Sequence, residues 1–429
     1  MLKRVSVFIL FAAFAIPTAA QNSIPNLSNP AISEFEINGL KVIVKRRAAA
    51  PTISAGLFVR GGVRNQKPEQ AGIESLALNV AAEGSRKFPR EALRRELSRT
   101  GSIIGASSGY DYGVISMSST RPNFDRTWEI FTDIVLNPAF AQADFDQVRD
   151  RAITGLRNRG ISPDDALVML ETRTLYAGHP YGADPTGTVE TIGKLTLNDL
   201  KSYHRSLLQT SRLLLVIVGD IDPAEFRKQA TASFGSLPRG TYRDTPIEKL
   251  AFAIPTVDVT QRPVQTNYVK GVFAAPSLAD PDYYAMRVAI TILQSRVYQE
   301  VRGRLNLSYA PNAEMDDNAA NTANIYVTSV EPNRAVTAMI GEINAMRTEL
   351  IDPDQYDGIA GYFLTTYYLQ HETNAAQVRE LARYELLGGG WRRSLNFIDE
   401  IQKVTPEDVR RVSVKYMKNL RFFVIGDPR

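Results

Sequence analysis

Two stretches of the chain close in the same way, and that duplication limits the fold more than any other feature of the sequence. "LTLNDLKSYHRSLLQTSRLLLVIVGDID" ends near the middle, and "VTPEDVRRVSVKYMKNLRFFVIGDP" ends the protein. Each runs from an apolar residue through Thr-x-x-Asp at a helix start, along an amphipathic helix, and into a β-rich run that closes on Gly-Asp. The matched residues are Thr196, Asp199, Gly219 and Asp220 in one copy and Thr405, Asp408, Gly426 and Asp427 in the other. The copies stand about 200 residues apart, the size of one domain. A chain of 429 residues has room for two such units.

Both halves also open with strands. "LKVIVKRR" and "TISAGLFVRGG" alternate in the first, and "TNYVKGVFAAPS" plays that part in the second. Helices with apolar spacing follow, among them "REALRRELSRTG" and "YYAMRVAITILQSRVYQEVRGR". Strands alternating with long helices in two similar copies imply an α+β fold: two like domains, each a mainly antiparallel sheet packed with helices. Their join is expected near "FGSLPRGTYRDTPIEKL", where Gly235, Pro238 and Gly240 punctuate a loop, giving domains over 21–238 and 239–429. Residues 1–20 read as a signal peptide: Lys3 and Arg4, an apolar run from Val5 to Ile16, and small residues at Ala19 and Ala20. The run is short of the ~20 residues that span a bilayer, and no later segment reaches that length. With no cysteine in the chain there is neither disulfide nor thiolate nucleophile, and an exported cysteine-free protein is expected in a bacterial periplasm. The formal charge of +4 is too slim an excess to mark a nucleic-acid surface.

"AGIESLALNVAAEGS", residues 71–85, reads as a helix on which Ser75, Leu78 and Asn79 share a face at i, i+3 and i+4. Gly72, Gly84 and Ser85 flank it. In this frame the chain resembles the insulinase-like (pitrilysin, mitochondrial processing peptidase) metallopeptidases in their short two-domain bacterial form. That family carries Gly-x-Ala-His-x-x-Glu-His-x-x-x-x-Gly-Thr. "GASSGYDYGVISMSS", with Gly105, Ala106 and Ser108, is similar to the family's Asn-Ala-x-Thr strand pair, and "LNPAF" and "AGHPYG" are also family-like. The resemblance implies two zinc-binding imidazoles and a general base where this chain has Ser75, Asn79 and Leu78. It places a distal zinc-binding glutamate in "FDQVRDRAITGLRNRG", where Thr154 and Gly155 stand instead. Serine, leucine and asparagine cannot hold zinc or acidify a bound water. The three histidines, His179, His204 and His371, have no metal-ligand spacing and are expected to be structural. The glycines Gly388, Gly389 and Gly390 fit a helix end.

"LQSRVYQEVRGRLNLSYAPNAEMDD" resembles the family's Ser-Arg-Leu-x-x-x-Leu-Arg-Glu...Gly-Leu-x-Tyr segment, with Ser295, Arg296, Val301, Arg302, Leu307 and Tyr309 in place and no glycine turn before it. By that resemblance Arg302 and Tyr309 reach towards a substrate held at a zinc ion. An arginine or phenol aimed at a scissile carbonyl stabilises the charge that develops there. The expectation is therefore a subunit without independent activity. Its partner would be a zinc-bearing chain of the same family, with peptides as substrates and zinc in the partner alone. The alternative is an inert peptide-binding or scaffold subunit.

Overall fold

A computed structural model describes residues 32–48 and 50–427, so the expected signal peptide lies outside the described residues. The first half opens with strands β1 (Ile32–Ile37), β2 (Leu40–Arg46) and β3 (Thr52–Arg60). Helices α1 (Ile73–Ala82) and α2 (Arg90–Thr100) precede the hairpin of β4 (Ile103–Ser108) and β5 (Tyr112–Thr120). Then come α3 (Phe124–Leu136), α4 (Gln142–Arg159), α5 (Pro163–Leu175), α6 (Val189–Lys194) and α7 (Leu197–Leu207), followed by β6 (Leu213–Gly219) and α8 (Pro223–Phe234). No helix or strand interrupts the chain from Gly235 to Pro255.

The second half repeats this plan. Strands β7 (Thr256–Gln261) and β8 (Asn267–Ala274) lead to α9 (Tyr283–Val297), whose last turns widen into a π-helix over Tyr298–Arg304. The hairpin of β9 (Asn312–Met315) and β10 (Thr322–Ser329) is followed by α10 (Pro332–Thr348), α11 (Pro353–Gln370) and α12 (Asn374–Leu387). Helices α13 (Phe397–Gln402) and α14 (Pro406–Tyr416) lead into the last strand, β11 (Arg421–Gly426). In space the sheets run β1-β2-β6-β3-β5-β4 and β7-β11-β8-β10-β9. Each has one parallel pair, β2 with β6 and β7 with β11, and is otherwise antiparallel. The orders match strand for strand once the additional edge strand β1 is set aside.

The shared endings have a local physical cause. Thr196 and Thr405 each accept a hydrogen bond from the backbone N–H of Asp199 or Asp408, and each aspartate accepts from its threonine's N–H in return. These reciprocal caps start α7 and α14. Gly219 and Gly426 finish equivalent strands at φ 155° and 149°. A Cβ there would come 2.9 Å from Ile53 Cα in one sheet and 3.1 Å from Asn267 Cα in the other, so a side chain is excluded at both.

The helices are traded between the halves. α5, from the first half, sets Leu167 and Leu170 against Val272, Phe423 and Ile425 of the second sheet. α12, from the second half, sets Val378, Leu381 and Ala382, together with Trp391, against Ile43, Phe58, Leu214, Val216 and Val218 of the first. Every residue of β6 is buried, because α3 and α8 cover the opposite face. Each large apolar side chain buried in these contacts contributes roughly 1.5–3 kcal/mol. Polar contacts fix the register: the Trp391 indole donates to Glu34 at 2.6 Å, Lys41 pairs with Glu385 at 2.8 Å, and Asn374 donates to the Thr52 carbonyl at 2.6 Å. Among the described residues no helix is long and apolar enough to cross a membrane.

Candidate functional site

Helix α1 starts at Gly72, which takes the left-handed conformation (φ 87°) and brings the chain against Gly187 with no room for a Cβ. One turn on, Ser75 and Asn79 face a cavity of about 390 Å3 whose far wall is α4. Gly155 of α4 looks into the same space, while Thr154 is exposed and outside it. Ser75 and Asn79 of one helix thus share a cavity with Gly155, far along the chain. The donors they supply are a hydroxyl, an amide whose NH2 group is given to the Ser75 carbonyl at 2.8 Å, and nothing. A Cβ on Gly155 would meet no atom within 4 Å, so the place for a longer side chain remains open. Glu83 also lines the cavity, but Arg90 at 3.3 Å and Arg151 at 2.8 Å hold its carboxylate. Zinc requires imidazole, thiolate or carboxylate ligands, and these residues do not fit it.

Leu78 departs from the expectation of a shared open face. It is 1% exposed and turns into the core between α1 and the first sheet. Gly113 of β5 leaves the space: a Cβ there would stand 2.8 Å from the Leu78 side chain. An apolar side chain lies in that groove at no desolvation cost, whereas the carboxylate expected of an active relative would need a charged or wet neighbourhood.

Glu74, one turn before Leu78, shares this groove. It is 0% exposed, accepts from Tyr203 at 2.8 Å and Ser108 at 2.9 Å, and has the Arg212 guanidinium 3.9 Å away. Burial raises its carboxyl above the ordinary value, against those hydrogen bonds and Arg212, which favour the ionised form. The signal was present in the sequence, since Glu74 and Leu78 are i, i+4 partners on the apolar side of α1.

A larger cavity of about 1050 Å3 adjoins the first, sharing Leu156 and Arg159 with it, and reaches Thr260 and Ile425 of the second half. Its walls are mainly apolar, with Met169, Leu170 and Tyr176 among them. His179 lies at its edge in a structural role, Nδ1 accepting from the Tyr181 N–H and Nε2 set against the Glu248 carbonyl. His204 is buried edge-on to Phe140, and burial pushes its pKa down to about 4, so it is a neutral core residue. Gly388 caps α12, with Gly389 and Gly390 in positive-φ conformations beyond it.

Arg302 and Tyr309 are brought together away from these cavities. Arg302 stands in the π-helical turn, donates to Asn306 at 2.8 Å, and stacks on the Tyr309 ring with 4.9 Å between guanidinium and ring centre. Tyr309 is 80% exposed. The ring is open to solvent while a cation lies over its face.

Known proteins share this fold. The family model described as insulinase (peptidase family M16) matches residues 41–184, and the model described as peptidase M16 inactive domain matches residues 194–360. The chain belongs to the insulinase, or M16, peptidase family. Among M16 relatives, an uncharacterized zinc protease of Mycobacterium leprae is 22% identical over 391 residues, covering 87% of this chain and 86% of the relative. Subunit 1 of the mitochondrial cytochrome b-c1 complex of Bos taurus is 23% identical over 259 residues, or 60% of this chain and 54% of that one. In structure, an M16 inactive domain from Pseudomonas fluorescens superposes with a TM-score of 0.85 at 18% identity, over 92% of this chain and 98% of that one. The periplasmic protease PqqL from Escherichia coli gives 0.76 at 14% identity, over 93% of this chain and 48% of PqqL. These likenesses show a common fold. Within the M16 frame, the first half of this chain retains the scaffold of a zinc site without its ligands.

Proposed function

We propose that the chain is the non-catalytic subunit of a heterodimeric periplasmic zinc peptidase. The partner, a second M16 chain with intact His-x-x-Glu-His, holds the zinc ion, while this chain closes the chamber and contributes Arg302 and Tyr309 to peptide binding. The exposed Arg302–Tyr309 stack carries the reading: the ring is 80% exposed with the guanidinium over its face, so both groups are open to a bound molecule. The donor set at Ser75, Asn79 and Gly155 supports it from the other side, since these residues do not fit a zinc ion. A guanidinium and a phenol beside a scissile peptide would orient the carbonyl and offset its developing charge. The leader-like residues 1–20 support export to the periplasm, and the fold is one that a periplasmic protease also adopts.

The test is peptide hydrolysis by this chain, by a candidate zinc-bearing partner, and by the two mixed. Activity is expected only in the mixture, and Arg302→Ala or Tyr309→Phe should lower it by about tenfold or more while the complex stays assembled. Equal activity from the partner alone would sink the proposal. The similarity to a cytochrome b-c1 subunit supports the second reading, an assembly or peptide-binding subunit with no catalytic share. That reading requires partner binding indifferent to both substitutions.

A further inference from the structure

The second half has a cavity of its own, built from the elements that correspond to those around the Ser75 pocket. α9 and α11 occupy the places of α1 and α4 in the repeated plan, and α12 closes the third side. Its volume is about 470 Å3, within the ~300–1,000 Å3 range of small-ligand sites. One wall is aromatic: Phe363 and Tyr367 of α11 lie with Phe397, the last two stacked at 5.4 Å. Tyr362 at the mouth is 55% exposed, so the cavity opens to solvent.

The charges inside divide into two sets. Arg383 is already neutralised, with Asp317 at 2.5 Å and Glu380 at 2.8 Å, and Tyr283 donates to Asp317 at 2.7 Å. Both acids of the cavity are therefore occupied. Arg287 from α9 and Arg379 from α12 also line it, and neither guanidinium makes an ion pair or hydrogen bond among the described residues. Two guanidinium groups on different helices thus line one aromatic-walled space, neither with an acceptor of its own. The matching ligand has a planar anion to take the guanidinium forks and an apolar group to lie on the rings.

We propose that this cavity binds the free C-terminal carboxylate of a peptide ending in an apolar or aromatic residue. Arg287 and Arg379 hold the carboxylate, the last side chain lies against Phe363 and Phe397, and the rest of the peptide leaves past Tyr362. The site needs no zinc-bearing partner. Its failure would leave the role given to Arg302 and Tyr309 untouched, because neither residue lines this cavity.

The experiment is fluorescence anisotropy on the whole chain with fluorescein-Gly-Ala-Leu-Phe as the free acid and as the C-terminal carboxamide. The acid should bind at least about tenfold more tightly than the amide, and Arg379→Gln and Arg287→Gln should each remove about that advantage. Arg379 is exposed and unpaired, so Arg379→Gln is expected to melt at the wild-type temperature, and it keeps the test decisive should Arg287→Gln fold poorly. Equal binding of acid and amide, absence of binding by the acid, or unchanged affinity in Arg379→Gln would overturn the proposal. N-acetylphenylalanine or inorganic phosphate competing as strongly as the peptide would overturn the assignment to a peptide terminus. Weak competition by both supports it.

Discussion

The two halves share a strand order but have diverged in what they keep inside it. The first half's cavity, between α1 and α4, is lined by Ser75, Asn79 and Gly155, and its arginines are already matched, Arg151 with Glu83 and Arg159 with Asp184, each at 2.8 Å. The second half's cavity, between α9, α11 and α12, holds packed aromatic rings and two unmatched guanidinium groups. One backbone plan therefore supports both a site emptied of its chemistry and a site dense with it. A few side chains on the helices beside the sheet decide which, and the sheets record none of the change.

The comparison can be broken most forcefully by separating the halves. If each sheet needs the helix lent by the other, residues 32–238 alone should give no cooperative melt, and co-expression with residues 239–427 should restore one. Leu381→Ala in the intact chain, at the centre of the lent helix and 2% exposed, should cost about 2–5 kcal/mol by urea denaturation. An independently folding first half would show that the exchange is ornamental.

A smaller effect separates two positions that an active relative would fill with carboxylates. Leu78→Glu would place a charge in the apolar groove beside Glu74 and should cost about 3 kcal/mol. Gly155→Glu, on an open stretch of helix, should leave stability unchanged or raise it by up to about 1 kcal/mol. Denaturation midpoints of the two variants check both. Equal costs would mean that Leu78 is not held in the core as described.

The smallest expected effect is a pH dependence carried by Glu74. Its folded pKa lies above the ordinary 4.5, so the folded state binds the proton more tightly than the unfolded chain does. The stability it contributes is complete below that ordinary value and is lost as pH rises through the folded pKa. Glu74→Gln should therefore gain on the wild type progressively from pH 4.5 upward, measured by denaturation at a series of pH values. A flat difference would show that Tyr203, Ser108 and Arg212 fully offset burial.

What could be read in advance was local or framed by a motif. The Thr-x-x-Asp caps at Thr196 and Thr405 and the Gly-Asp strand ends depend on neighbours within a few residues, and they stand as the sequence implies. The convergence of Ser75, Asn79 and Gly155 was legible because a spaced motif fixed the frame. The orientation of Leu78 was not: helical spacing places it beside Ser75 and Asn79, but the space left by Gly113 on a distant strand decides where it points. The traded helices were equally hidden, because α5 and α12 are amphipathic against either sheet and only the closed fold chooses. The aromatic cavity draws on Tyr112, on residues between 283 and 291, and on residues between 362 and 397, a set that no local pattern joins.

The lending of α12 also sets an order for folding. β6 completes the first sheet at Gly219, but the helix that covers Ile43, Phe58 and Val216 begins only at Asn374. A chain that emerges from its N-terminus leaves that apolar face bare until α12 has followed it. A chaperone that shields the face would act on the interval between the two halves rather than on either half alone.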